Sequence, residues 1–324
     1  MFPAAVHYRE FAPCEALREH VRAFFSFAPP LEHPPGGRPL LCEVRLGERD
    51  PFGAPLFADG HVSLAFIFEQ AWASGGHWRR ARSAPHGEVI GPMSTVIAAS
   101  VDESPEEVGV FLRAGRACAL IGAPPAELAD RIVALDDLWG AAAAGLPAEL
   151  AAAGEAARID RLESVLLRRL AQAPAAETTL NVPRLAQCIL RAGGRLKIER
   201  LADAAGVSRQ HLTRSFREAV GVTPKLFARL SRFQAGLAYA GCGAAVDWAQ
   251  AALELGYADQ SHMIAEFREF SSLTPETLAR QRWFHPFIER ARSIRSRDEV
   301  SSAYSRQSKF SAFAAARLDP GGIF

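Results

Sequence analysis

Two stretches near the C-terminal end repeat one another, and that repeat constrains the second half of the chain more than any other feature. Ser208-Arg-Gln-His-Leu-Thr-Arg-Ser-Phe-Arg-Glu leads on to Thr223-Pro224, and Asp259-Gln-Ser-His-Met-Ile-Ala-Glu-Phe-Arg-Glu leads on to Thr274-Pro275. His211, Phe216, Arg217, Glu218, Thr223 and Pro224 return at a constant offset as His262, Phe267, Arg268, Glu269, Thr274 and Pro275. Each copy follows a short apolar segment and a glycine, Gly206 or Gly256, placed where a tight turn between helices needs a left-handed residue. The pattern predicts two helix-turn-helix units in one chain.

The chemistry of the first copy follows from helical spacing. Leu212, Phe216, Ala219 and Val220 fall at i, i+4, i+7 and i+8 and share a core face. Ser208 stands where it can cap the helix, while Arg209, Gln210, Thr213, Arg214 and Arg217 lie on the other side. Donors near the N-terminal end suit base edges, and cations further along suit phosphates. A solvated helix face would carry similar charge, but two copies with the same turn, aromatic anchor and exit favour DNA reading. In the second copy Arg209 is replaced by Gln260, Gln210 by Ser261, Thr213 by Ile264 and Arg214 by Ala265, and only Arg217 keeps its charge, as Arg268. Asp259 and Glu266 bring negative charge, so the first unit is expected to dominate affinity. Gln260 can still read adenine and Ile264 can pack on a thymine methyl. The expected DNA-binding set is Ser208, Arg209, Gln210, His211, Thr213, Arg214, Arg217, Gln260, Ser261, His262, Ile264 and Arg268. Thr223-Pro224 and Thr274-Pro275 are explained by capping alone, threonine at the N-cap and proline at the first helical position.

Charge is distributed to match. The 324-residue chain has a formal net charge of only +1, yet Asn181–His285 holds fourteen Lys or Arg against nine Asp or Glu. The basic footprint is therefore local to the repeats.

From Tyr8 to about Ile121 the texture is short β-like runs broken by Gly and Pro: Leu40–Leu46, His61–Phe68, Val89–Ser100 and Val108–Leu112. Val62, Leu64, Phe66 and Phe68 alternate with smaller neighbours as a strand facing a core would. Such spacing predicts a β-rich domain over 1–123, a barrel (cupin-like) or sandwich. Past Pro124-Pro125, Ala126–Ile132, Ala148–Ala153 and Ala157–Ala171 read as helices, giving a helical segment over 124–172. The stripe Ile159, Leu162, Leu166 and Leu170 fits either packing onto its own domain or a homodimer surface. A linker is expected at 173–183, a DNA-binding domain at 184–284 with helix-turn-helix units over 198–220 and 246–270 joined by a helix over 225–240, and a largely disordered tail at 285–324 with a short helix around Phe310–Arg317. The fold class is thus multidomain α+β.

Over Pro183–Arg282 these features resemble the AraC/XylS family of bacterial transcription regulators. The resemblance implies two helix-turn-helix units joined by a long helix, here Lys225–Ala240, entering successive major-groove segments on one DNA face. It implies promoter DNA as partner and RNA polymerase as a further contact. Met263, Ala265 and Ser272 depart from the family pattern, all in the second unit. The N-terminal half is similar to a less studied sensor-like domain of such regulators, through Tyr8-Arg-Glu, Asp59-Gly60, Gly91-Pro92 and Leu135-Asp-Asp-Leu-Trp-Gly140. That implies a small-molecule effector of unknown identity, or a protein partner. Phe24, Phe25, Phe66, Phe68, Trp72, Trp78 and Phe111 would line its pocket or form its core.

An enzyme fused to the DNA-binding unit is the rival class. His7, His20, His33, His61, His77 and His86 are scattered, and no phosphate loop or nucleophile elbow is present. Cys14, Cys42, Cys118, Cys188 and Cys242 form no CxxC pair, which fits inert thiols in a reducing cytosol. No catalytic residue, metal or cofactor is expected. The N-terminus has no basic-then-apolar signal and no apolar run reaches the ~20 residues of a membrane helix, so the reading is a cytoplasmic protein without membrane contact.

Overall fold

A computed structural model describes residues 6–28, 40–46, 58–68, 72–73, 84–96, 100–101, 106–174, 180–240 and 246–280. The first part is a layer of strands under a layer of helices. Seven strands form one antiparallel sheet in the order β3-β1-β2-β8-β4-β6-β9. They are β1 (Val6–Phe11), β2 (Val21–Ala28), β3 (Leu40–Leu46), β4 (Ser63–Ile67), β6 (His86–Ile90), β8 (Glu107–Leu112) and β9 (Ile132–Ala134). A separate pair joins β5 (Trp72–Ala73) to β7 (Ser100–Val101).

The β-rich expectation holds at the level of class, but the described strands form an open sheet whose edges are β3 and β9 and do not pair with each other as in a barrel. Helices do the covering instead: α1 (Cys118–Ile121), α2 (Leu135–Trp139), α3 (Leu146–Ala152) and α4 (Glu155–Gln172). Val62, Leu64 and Phe66 meet them in one core with Leu150, Ile159, Leu162 and Leu166. The stripe on α4 is therefore buried within its own domain, the first of its two readings. Ala65, on the other face of β4, packs with Tyr8, Phe25 and Phe27. Of the candidate pocket aromatics, Phe24, Phe25 and Phe66 are core, and Phe68 and Phe111 pack partly buried against it. The side chain of Trp72 and all of Trp78 lie outside the described residues.

Three expectations need correction. Val89–Ser100 is not one strand: β6 stops at Ile90, Gly91 passes so close to the Leu128 carbonyl that a Cβ there would stand 1.7 Å from its oxygen, and Pro92 has no amide to continue the ladder. Ala126–Ile132 is not a helix but a 3-10 turn (Pro125–Glu127) followed by the start of β9. Asp130 is left-handed at φ 56° and spends its carboxylate on the Ser94 amide and hydroxyl, which ends helical geometry. Residues 124–172 are thus no separate segment, since β9 pairs with β6 and the helices share the sheet's core.

The Tyr8-Arg-Glu motif ties the two layers together. Arg9 and Glu155 form a buried ion pair at 3.1 Å, Ser26 donates to the same carboxylate, and Tyr8 donates to Glu10 at 2.7 Å.

The C-terminal body contains α5 (Val182–Arg191), α6 (Ile198–Ala204), α7 (Arg209–Val220), α8 (Pro224–Ala240), α9 (Trp248–Glu254), α10 (Gln260–Ser271) and α11 (Pro275–Arg280). Two cores share α8. Phe227 and Ala228 close a core with Leu185, Ile189, Leu201, Leu212 and Phe216. Leu230, Phe233 and Leu237 close another with Trp248, Met263, Phe267 and Phe270. The middle of the linker expected at 173–183 (residues 175–179), and the whole tail with its helix around Phe310–Arg317, lie outside the described residues.

Candidate nucleic-acid interface

Each unit is built by the same local devices. Gly206 and Gly256 take φ of 66° and 81°, turning the chain between α6 and α7 and between α9 and α10. The hydroxyl of Ser208 accepts from the His211 amide at 3.2 Å, and the Asp259 carboxylate accepts from the His262 amide at 2.7 Å. Phe216 and Phe267 are fully buried. Thr223 caps α8 through the Leu226 amide, and Thr274 caps α11 through the Thr277 amide.

On α7, Ser208, Arg209, Gln210, Arg214 and Arg217 are exposed, with His211 and Thr213 partly buried beside them. Arg209 is drawn 3.1 Å from Glu199 of α6, an exposed pair that bound phosphate can replace. Thr213 donates to the Arg209 carbonyl at 2.8 Å, so its hydroxyl is engaged with its own helix. Arg214 and Arg217 remain as the outward cations. On α10, Gln260, Ser261, His262 and Arg268 are exposed and Ile264 is partly buried. The Nδ1 of His262 accepts from the Ala258 amide at 3.4 Å and its ring stands edge-on to Tyr257, which makes it a turn-holding residue.

The negative charge expected at the second unit proves to be only partly available. Glu266 is buried under α8, 2.6 Å from Arg229 and 3.2 Å from Arg232, and Arg229 also reaches Glu269 at 2.5 Å. The sequence reading counted Glu266 as negative charge beside the second reading face, and the two arginines on α8 that draw it inward were not recognised as its partners. A second missed contact joins the units directly. Arg195, after α5, donates to the Glu254 carbonyl at 2.8 Å and lays its stem against Gly256.

Among the described residues there is no group of His, Cys, Asp and Glu able to hold a metal, and no helix long and apolar enough to cross a membrane. Cys118 is not primed for redox chemistry: burial, then the nearby Glu218 and Glu127 carboxylates, push its thiol up from the ordinary range.

The match to known families falls on the two capped, glycine-turned units. A family model described as a helix-turn-helix domain matches residues 201–281. The C-terminal body is an AraC-type helix-turn-helix domain. It makes the chain a DNA-binding regulator of transcription. No curated protein matches in sequence. Among solved structures, ToxT from Vibrio cholerae is similar at 11% identity over 72% of this chain and 95% of that one, with a TM-score of 0.42. Wild-type ToxT bound to an unsaturated fatty acid matches at 11% identity over 71% and 90%, with a TM-score of 0.40. The C-terminal domain of AraT, a response regulator from Geobacillus stearothermophilus, matches at 20% identity over 34% of this chain and 93% of its own, with a TM-score of 0.30. Likenesses this loose carry no assignment for the AraC-type domain or for the body in front of it.

Proposed function

We propose that the protein reads two adjacent half-sites in promoter DNA, α7 in one major groove and α10 in the next, with α7 supplying most of the affinity. The observation that carries this is the pair of units on one shared helix, each presenting the N-terminal part of its second helix to solvent. Arg214 and Arg217 face outward on α7, whereas α10 offers Arg268 alone among the predicted contact cations. Arginine pairs bidentately with guanine and glutamine with adenine, each worth about 1–3 kcal/mol of discrimination. The contact set is Ser208, Arg209, Gln210, Arg214 and Arg217 with Gln260, Ser261, Ile264 and Arg268. His211 stands partly buried beside this set as a further contact, while Thr213 and His262 hold the local helix and turn geometry around it.

The N-terminal body acts in this reading as the regulatory part, receiving a small molecule or a protein and passing its state to the units, with RNA polymerase as a downstream contact and the cytoplasm as the site of action.

The test is selection of genomic fragments by the purified protein beside its Arg214→Ala and Arg268→Ala variants. One enriched motif, lost mainly in Arg214→Ala, is the expected result. Salt-sensitive binding without a motif would reduce the domain to phosphate attraction, and a larger loss in Gln260→Ala than in Arg214→Ala would reverse the ranking.

A further inference from the structure

The N-terminal body touches both helix-turn-helix units, and it does so at corresponding places. At the second unit, the Ala58 amide donates to the carbonyl of Phe270, near the C-terminal end of α10, at 3.2 Å. Ala58 itself is part of that unit's core. At the first unit, Gly221 closes the C-terminal end of α7, so near that a Cβ there would lie 2.3 Å from Pro92 and 2.8 Å from the Pro125 carbonyl oxygen. Between these grips runs α8. Gln234 donates to the Asp59 carbonyl at 2.6 Å, a Cβ on Gly60 would lie 2.9 Å from Leu230, and the His61 ring stands 5.7 Å from that of Phe227. Two sequence motifs that the DNA-reading surface leaves unused, Asp59-Gly60 and Gly91-Pro92, are therefore the seat of one domain on the other.

A single helix is a poor ruler. At 17 residues α8 spans about 25 Å. Long helices curve, and the units are fastened to it through side chains, by packing at the first and by packing with the Arg229 and Arg232 ion pairs at the second. A third rigid body that grips both units closes a triangle, and a triangle resists the bending and twisting that one strut allows. Arg195 adds a tie from the first unit to the second.

We infer that the N-terminal body is a brace that sets the separation and relative angle of α7 and α10, and so the half-site spacing the protein accepts. This rests on the two-half-site reading proposed above. One inserted base pair shifts the second half-site by about 3.4 Å and turns it by about 35°. A braced pair cannot follow that change, and an unbraced pair can follow part of it.

The experiment measures binding to the selected site, to the same site with one base pair added or removed between its halves, and to each half alone. The full chain is compared with Gly60→Val, Gln234→Ala and Arg195→Ala. Valine at Gly60, where φ is 66°, cannot share the space held by Leu230 and opens the seat. Gln234→Ala only removes one hydrogen bond and guards against misfolding. The expected result is a spacing penalty of roughly tenfold in the wild type, reduced to about threefold in Gly60→Val and by a smaller factor in Gln234→Ala. Half-site affinities should stay within about twofold of wild type. An undiminished penalty in Gly60→Val overturns the brace, as does a penalty relaxed by Arg195→Ala alone. If the wild type selects no two-part site at all, it is the DNA reading that fails.

Discussion

The two helix-turn-helix units share a turn, an aromatic anchor and an exit, yet they distribute polar residues in opposite ways. The first keeps its charges outside: Arg214 and Arg217 face solvent, and position 215, which matches Glu266, holds a partly buried serine. The second puts its main carboxylate inside, where Arg229 and Arg232 hold it. The first unit is organised to meet a polyanion and the second to grip the helix that joins them. One duplicated frame thus carries two divisions of labour, with the difference in only a few side chains.

The sharpest way to break this comparison is to remove the inward charge. Glu266→Ala removes the carboxylate shared by Arg229 and Arg232 and should cost about 2–3 kcal/mol, less than a fully enclosed pair because both arginines keep some solvent access and Arg229 keeps Glu269. Ser215→Ala, at the matching place, should stay within about 0.5 kcal/mol. Urea midpoints of the two variants decide the point, and equal losses would mean the units are polar equivalents.

DNA affinity gives the next largest contrast. Arg214→Ala should weaken specific binding by about 1–3 kcal/mol, and Arg268→Ala by less. Fluorescence anisotropy on the selected site measures both. The converse change sharpens the same contrast: Ala265→Arg gives the second unit the residue its twin carries at 214, and should steepen the log–log salt dependence of binding by about one. A slope left unchanged would show that position 265 does not approach phosphate.

The smallest effect lies at the helix ends. Gly221 and Ser272 occupy the same left-handed position, at φ 93° and 61°. Serine pays a steric penalty there that glycine does not, so Ser272→Gly should stabilise the chain by about 0.5–1 kcal/mol. Gly221→Ser should destabilise it by more than that gain, because its side chain would meet Pro92 and the Pro125 carbonyl. Thermal melts of both variants test the asymmetry.

Much of this was legible in the sequence because it is local. Gly206, Ser208, Phe216, Thr223 and their counterparts act within a few residues of themselves, and period and capping rules suffice to place them. The departure at Ser272 was visible for the same reason, and the left-handed geometry explains it. Long-range partners were not legible. Nothing in the spacing of Arg229 and Arg232 says that Glu266 lies beneath them, and nothing around Ile132 says that it will pair with Ile90 as a strand. The run past Pro124-Pro125 looked helical because Ala, Glu and Leu favour helices, but a left-handed Asp130 and a neighbouring strand overrode that preference. The motifs Asp59-Gly60 and Gly91-Pro92 stood out as turns, while their part in joining two domains needed the fold.

The sharing of α8 has a consequence for how the chain can be divided. Phe227 and Leu230 lie one turn apart on that helix, yet each closes a different core. A cut before Phe227 would strip the lid from the first hydrophobic interior, a cut beyond Leu230 would thin that of the second, and between the two lies less than one turn of helix. The seam between the halves of the repeat is therefore confined to a single turn of a continuous helix, and neither half keeps its whole interior unless the division falls inside that turn.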